Sequence, residues 1–264
     1  MDTLAIIVPA FNEAKAIEKT LESILEVCND IVVIDDGSMD NTAEIVKRYP
    51  VTLIQNGKNR GLAQTVKVGL QYVLDQGYDY ALKMDADGQM NASMIPTIKQ
   101  VIKDSDTKDI IYCTYDEKTP WMIRKDMKIY STIYELGTSI KTSDLLSEFR
   151  AYSKKAMKFL VERTTNEGYG SPLILMDMHR EGMESLEVKG GVSYAENVIR
   201  PFPLDAQLGL RKSFVSKLYK FPGIRSKIVS IGSIPFWAAL LMFNVTVQPK
   251  YHSILPKKYM RPGK

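Results

Sequence analysis

The segment "KMDADGQM", Lys83–Met90, places Asp85 and Asp87 one residue apart at the end of an apolar run, with Gln89 following at the same spacing. All three side chains offer oxygen. Two carboxylates this close repel each other unless a cation or hydrogen-bond donors compensate. A calcium loop, a turn and a metal–phosphate site are the candidate explanations. Taking Asp85 as the first position of an EF-hand loop puts Met90 where glycine is needed and Pro96 where glutamate is needed, which excludes that loop. A turn is compatible with Asp and Gly. The position of the pair, directly after the strand-like "YALKM", favours the third explanation. Hard cations such as Mg²⁺ are often held by one or two carboxylates together with substrate phosphates. Such a cation would stabilise a diphosphate as a leaving group.

Two more polar clusters supply the remainder of a nucleotide site. In "VIDDGSMDNT", Asp35, Asp36 and Gly37 close a second apolar run. An acid there can accept hydrogen bonds from a ribose or a base, while Ser38 or Asp40 can cap the helix that follows. In "NRGLAQTVKVGL", Gly61 allows a close approach of backbone and Arg60 can meet phosphate. Neither a P-loop nor a dinucleotide fingerprint is present.

The elements that must position these residues can be read from periodicity. "LAIIVP" (Leu4–Pro9), Ile31–Ile34, Val51–Ile54 and Tyr80–Met84 are short, apolar and strand-like. Between and after them, Ile17/Leu21/Ile24/Leu25, "AEIVKRY", Leu62/Val66/Gly69/Leu70/Val73 and Ile95/Ile98/Ile102 mark helix faces. Strands and helices alternating at this spacing predict an α/β fold, a mostly parallel Rossmann-like sheet with helices on both faces. Ligands of such sheets sit beyond the strand C-termini. "AFNE", "DDGS" and "DADGQ" all come directly after apolar runs, so one shared site is expected. Beyond Tyr112 the pattern weakens: a helix around Tyr130–Gly137 and a short irregular or strand segment before a helix in "SEFRAYSKKAMKFLVE" are expected.

The chain has 264 residues and a formal charge of +4, with two cysteines and two histidines. So few histidines argue against a histidine-rich zinc site, and Cys28 and Cys113, in or beside apolar stretches, are expected as buried thiols. From Ala206 onward there are eleven Lys and Arg and no Asp or Glu. That asymmetry predicts a catalytic domain over 1–205 and a basic region over 206–264 that meets anions, an anionic membrane surface before nucleic acid. The charge-free stretch Ile228–Val247 is long enough to span a bilayer, to lie in its interface, or to form a buried helix. The N-terminal residues lack the basic region and long apolar core of a secretory signal. The protein is therefore expected on the cytoplasmic face of a membrane.

Taken together, "VPAFNEA", "VIDDGSMDNT", "NRGLAQTVKVGL", "MDADGQMNASMIP" and "EFRAYSKKAM" resemble the family 2 glycosyltransferases of GT-A fold, above all their polyprenyl-phosphate branch, which includes dolichol-phosphate mannose synthase. The resemblance spans roughly residues 4–160. It implies that Pro9, Phe11, Glu13 and Asp36 hold the nucleotide's base and ribose, and Arg60, Gly61, Asp85 and Ala86 complete the candidates for binding the donor. It implies that Asp85, Asp87 and Gln89 ligate Mg²⁺ or Mn²⁺ on a UDP- or GDP-sugar, with Asp87 and Arg150 in the catalytic centre. Arg150, Arg200, Arg211 and Lys212 are then the candidates for the acceptor phosphate. A phosphate acceptor hardly needs a general base; a glycan, glycolipid or protein hydroxyl would need one, and Asp177 or Glu167 are the candidates. The chain departs from the branch after Leu186–Val188, where the family's Gly-x-Ser-Lys is missing. A non-enzymatic basic binding module would account for the tail and leave the three acidic clusters unexplained.

Overall fold

The computed structural model describes residues 2–104, 109–116, 119, 121–145, 147–163, 173–192, 204–223 and 225–235. They form two compact units, Met1–Lys128 with Thr142–Ala195, and Ile129–Lys141 with Glu196–Lys264. The second unit thus takes in residues 129–141, ahead of the boundary at 205 that charge alone suggests.

The first unit alternates strand and helix as its periodicity predicts: β1 (Leu4–Ala10), α1 (Ile17–Leu25), β2 (Ile31–Asp35), α2 (Thr42–Val46), β3 (Thr52–Gln55), α3 (Leu62–Asp75) and β4 (Tyr80–Lys83). A 3₁₀ turn over Ala92–Met94 then leads into α4 (Ile95–Asp104), with Asn91 accepting a hydrogen bond from the backbone N–H of Ser93. β5 (Ile110–Tyr115), α5 (Trp121–Thr138), β6 (Arg150–Ser153), α6 (Lys154–Arg163), α7 (Ile174–Arg180) and β7 (Ser185–Val192) come next. The seven strands lie in the order β3-β2-β1-β4-β6-β5-β7. All neighbours run parallel except β6, which is antiparallel to both β4 and β5. The segment around "FRAY", ambiguous in sequence, is this reversed strand.

β1, β2 and β4 are buried along their whole length because both faces of the sheet are covered. On one face, Ile6, Val8, Val33 and Leu82 pack with Leu21 and Ile24 of α1 and with Ile95, Ile98 and Ile102 of α4. α3 and α6 cover the other. Gly69 brings α3 close: a Cβ there would lie 2.7 Å from Ile34 Cδ1 and 3.4 Å from Ile7 Cβ. Cys28 and Cys113 are both buried free thiols.

α7 contributes one buried titratable group, His179, whose Nε2 shares a hydrogen bond of 2.8 Å with Ser185 Oγ. Burial, and next the charge of Arg150, push its pKa down from 6.5 to about 4. Below about pH 6.5 the unfolded chain takes up a proton on this histidine that the folded protein refuses. Stability is therefore expected to decline as pH falls from 7 to 5. Urea unfolding at both values should show that decline reduced in His179→Gln.

Candidate active site

Parallel pairing aligns Ala10 with Asp35 across β1 and β2, while Ile7 of β1 lies beside Lys83 of β4. The segments leaving these three strands therefore emerge at one edge of the sheet. Beyond that edge is a cleft of about 270 Å³, lined by Pro9, Ala10, Phe11, Glu13, Asp36, Asn59, Gly61, Leu62, Thr65, Asp85, Ala86 and Asp87.

Side-chain-to-backbone bonds tie the loops of the cleft together. Ser38 Oγ accepts from the Asn12 N–H at 2.9 Å, Asn12 Oδ1 from Met39 N–H at 2.8 Å, Thr42 Oγ1 from Glu13 N–H at 2.8 Å and Asp40 from Ala14 N–H at 3.1 Å. "AFNEA" and "DGSMDNT" are thus two halves of one structure. Asp40 also accepts from the Thr42 N–H at 3.0 Å, one residue ahead of the N-cap of α2, which is Asn41 rather than the expected Ser38 or Asp40.

Asp36 organises the third loop. Its Oδ1 accepts from Asn56 Nδ2 at 2.8 Å and from the Arg60 N–H at 3.0 Å; its Oδ2 accepts from the Gly61 N–H at 2.9 Å. It is 3% exposed, so three donors compensate a buried carboxylate. The loop comes so near the preceding turn that a Cβ on Gly37, whose φ is +75°, would sit 2.6 Å from the backbone of Lys58. The Arg60 side chain is exposed and is not among the residues lining the cleft; the neighbouring Asn59, Leu62 and Thr65 line it instead. All three lie inside the motif that drew attention to Arg60, but an arginine stands out in a sequence as an anion ligand and its neighbours do not.

At the other end of the cleft stand Asp85 and Asp87. Lys83 Nζ lies 2.8 Å from Asp85 Oδ1 and 2.9 Å from Glu148 Oε2. Burial pushes the Lys83 ammonium towards neutrality, but the Asp85 and then the Glu148 carboxylate outweigh it and hold the pKa above the usual lysine value. Burial raises Asp85, with Lys83 opposing. Gln89 Nε2 donates to Asp87 Oδ2 at 2.7 Å and the Gln89 N–H donates to Oδ1 at 3.1 Å. The repulsion between the two aspartates is therefore already offset by protein groups, the Lys83 ammonium on Asp85 and the Gln89 donors on Asp87. Gln89 orients Asp87 with its nitrogen and is itself not among the residues lining the cleft.

As a donor set for Mg²⁺ or Mn²⁺, two carboxylates on the cleft wall are suitable hard ligands, provided that substrate oxygens complete the shell. Among the described residues there is no group of three His, Cys, Asp or Glu side chains that would hold a metal unaided.

The remaining candidates are placed elsewhere. Arg150, in β6 opposite both Lys83 and Tyr112, is 1% exposed, and its Nη2 donates to the Leu145 carbonyl at 3.1 Å. A guanidinium so covered would have to be uncovered before it met a phosphate directly. Asp177, in α7, faces Arg180 at 3.5 Å. Lys212 is exposed on α8 (Leu204–Tyr219), the helix that also carries Arg211. Glu167 and Arg200 lie outside the described residues.

In an open α/β sheet, loops gathered at the ends of parallel strands form the ligand-binding edge. The family described as "Glycosyl transferase family 2" matches residues 5–160, and the chain belongs to that family. It is 30% identical to the UDP-N-acetylglucosamine–dolichyl-phosphate N-acetylglucosaminyltransferase of Methanococcus voltae, over 62% of this chain and 74% of that protein. It is 22% identical to the undecaprenyl-phosphate mannosyltransferase of Micrococcus luteus, over 62% and 72%. The fold is that of glucosyl-3-phosphoglycerate synthase from Mycobacterium tuberculosis, solved with Mn²⁺, UDP and phosphoglyceric acid; the TM-score is 0.62 over 84% of this chain and 80% of that one, at 18% identity.

Gly37→Ala is expected to cost about 1–3 kcal/mol, from strain at positive φ together with the clash against Lys58. It should also displace the loop that Asp36 holds and so reshape the cleft, an effect read by titrating UDP or GDP into the variant and the unaltered protein. Urea unfolding and calorimetric titration measure the two effects, and unchanged values in both would show that the loop tolerates the displacement.

Proposed function

We propose that this family 2 glycosyltransferase moves a sugar from a UDP- or GDP-sugar to a polyprenyl phosphate at a membrane surface, with a divalent cation. The observation that carries the reading is one cleft lined both by the hydrogen-bonded loops at Phe11, Asp36 and Gly61 and by the Asp85/Asp87 pair. In this reading Pro9, Phe11, Glu13 and Asp36 receive the base and ribose, and Asn59 and Gly61 lie along the loop that Asp36 holds. Asp85 and Asp87 ligate the cation, with Gln89 steadying Asp87. When bound, the cation makes the diphosphate a better leaving group.

The acceptor phosphate is an oxyanion near neutral pH. One of its oxygens bonds to the anomeric carbon as the bond from that carbon to the diphosphate oxygen breaks, inverting the configuration. No proton need be removed, so positioning and electrostatics supply the rate enhancement. Asp177, one of the two candidate bases for a hydroxyl acceptor, is engaged by Arg180 at 3.5 Å. The lipid phosphates named for the Methanococcus and Micrococcus relatives favour a phosphate acceptor.

The second unit supports a membrane surface. Phe214 of α8 meets Tyr130 edge-on at 5.0 Å, and Phe221 meets Tyr134 at 5.5 Å. A further helix covers residues 225–235. Its buried side is made of serines: Ser226 Oγ donates to the Phe221 carbonyl at 2.9 Å, Ser230 Oγ to Val215 at 2.8 Å and Ser233 Oγ to Ser230 at 2.8 Å. Its outward side carries Ile228, Ile231 and Ile234, at 63%, 58% and 51% exposure, beside exposed Arg225 and Lys227. Small polar residues inside and isoleucines outside reverse the usual arrangement of a water-facing helix and suit contact with lipid. No described helix is long and apolar enough to cross a membrane, and residues 236–247 of the charge-free stretch lie outside the described part.

Release of nucleoside diphosphate from a panel of UDP- and GDP-sugars tests the reaction, with Mn²⁺ or Mg²⁺, with and without polyprenyl phosphate, beside Asp87→Ala. Metal-dependent release that needs the lipid phosphate and is lost in the variant is the expected result. Release indifferent to the lipid would overturn the acceptor. In vesicle flotation, replacing Ile228 and Ile231 by serine is expected to remove the binding to anionic vesicles that persists at high salt; unaltered flotation would assign that binding to other residues.

A further inference from the structure

Lys83 occupies a strand position where any apolar residue would pack, and it is 1% exposed. A buried cation is costly unless it is paired. The register provides the pairing. Lys83 lies opposite Arg150 across the antiparallel β4–β6 pair, and Glu148, in the segment that leads into β6, reaches its ammonium. The ammonium thus sits between a carboxylate of the cleft, Asp85, and a carboxylate outside the cleft lining, Glu148, at 2.8 and 2.9 Å. Asp85 gives Oδ1 to this ammonium while its side chain lines the cleft.

We propose that Lys83, clamped by Glu148, is a positioning residue that sets the cation affinity of the Asp85/Asp87 site and makes it depend on the nucleotide. Lys83 fixes the Asp85 carboxylate and cancels part of its charge. Glu148 draws part of the lysine's charge away from Asp85. The balance leaves too little negative charge to hold a divalent cation tightly until a nucleoside diphosphate adds its own oxygens and charge. This rests on the reading of Asp85 and Asp87 as cation ligands.

Opposite signs in two variants are the consequence of this arrangement. Lys83→Met removes the neutralising charge and should tighten Mn²⁺ binding to the nucleotide-free protein on the order of ten-fold. It should also shrink the enhancement that a nucleotide brings. Glu148→Gln leaves the whole lysine charge on Asp85 and should weaken Mn²⁺ binding. The double variant removes one charge of each sign and should return close to the starting affinity, and it guards against loss of fold in Lys83→Met.

The experiment titrates Mn²⁺ into the full chain and follows free Mn²⁺ by electron paramagnetic resonance, alone and with UDP or GDP, beside thermal unfolding of each variant. Tightening in Lys83→Met with weakening in Glu148→Gln supports the proposal. Weakening in both, or a lowered Tm with unchanged Mn²⁺ affinity in both, overturns it and leaves Lys83 a packing residue. Absence of Mn²⁺ binding by the unaltered protein, even with either nucleotide, overturns the metal reading of the site as well, which separates the two failures.

Discussion

Parallel pairing of β1 with β2 on one side and β4 on the other brings the ends of all three strands to one edge of the sheet. Parallel strands leave their C-terminal loops on the same side, and the crossovers through α1, α2 and α3 return the chain to the opposite edge before each next strand. Residues as far apart as Phe11, Asp36, Gly61 and Asp87 line one cleft for that reason. β1, β2 and β4 are buried along their whole length, and a few directed hydrogen bonds hold the loops that leave them.

Those bonds have a division of labour. Asp40, Ser38 and Thr42 join the first two loops, and Asp36 spends its carboxylate on the third. A charged acceptor bonded to backbone N–H groups is stronger than a neutral one, and here it restrains a loop that has no secondary structure of its own. Asp36 therefore shapes the pocket as well as lining it.

The acidic end of the cleft obeys a different rule. Asp85 faces a buried ammonium and Asp87 faces an amide, so each carboxylate is steadied by a group from the protein itself. Beyond that point the sheet turns polar on one face, where Lys83, Arg150, Tyr112 and Glu187 stand in register across four strands. Glu187 accepts from Tyr112 at 3.1 Å and from the Ser143 N–H at 2.8 Å, tying β7 to the segment that precedes β6. Antiparallel β6 makes this row possible, because it places two cations side by side with Glu148 close enough to answer them.

Local sequence determined the first four strands, their helices and the loops that form the cleft, because buried parallel strands are continuous apolar runs and the polar clusters interrupt them sharply. Pro9, Phe11, Glu13, Asp36, Gly61, Asp85, Ala86 and Asp87, singled out from those clusters, line one cleft. The chain beyond Tyr112 was far less legible: β6 is four residues long, begins with a buried arginine and owes its place to partners on either side. Only the tertiary structure decided that Lys83 is the counter-ion of Asp85, that Asp36 holds the loop at Gly61, and that the serines of the 225–235 helix face inward and its isoleucines outward. Each of these depends on which side chains meet across strands and helices remote in sequence, and a periodic pattern shows which face a residue occupies without showing what stands opposite.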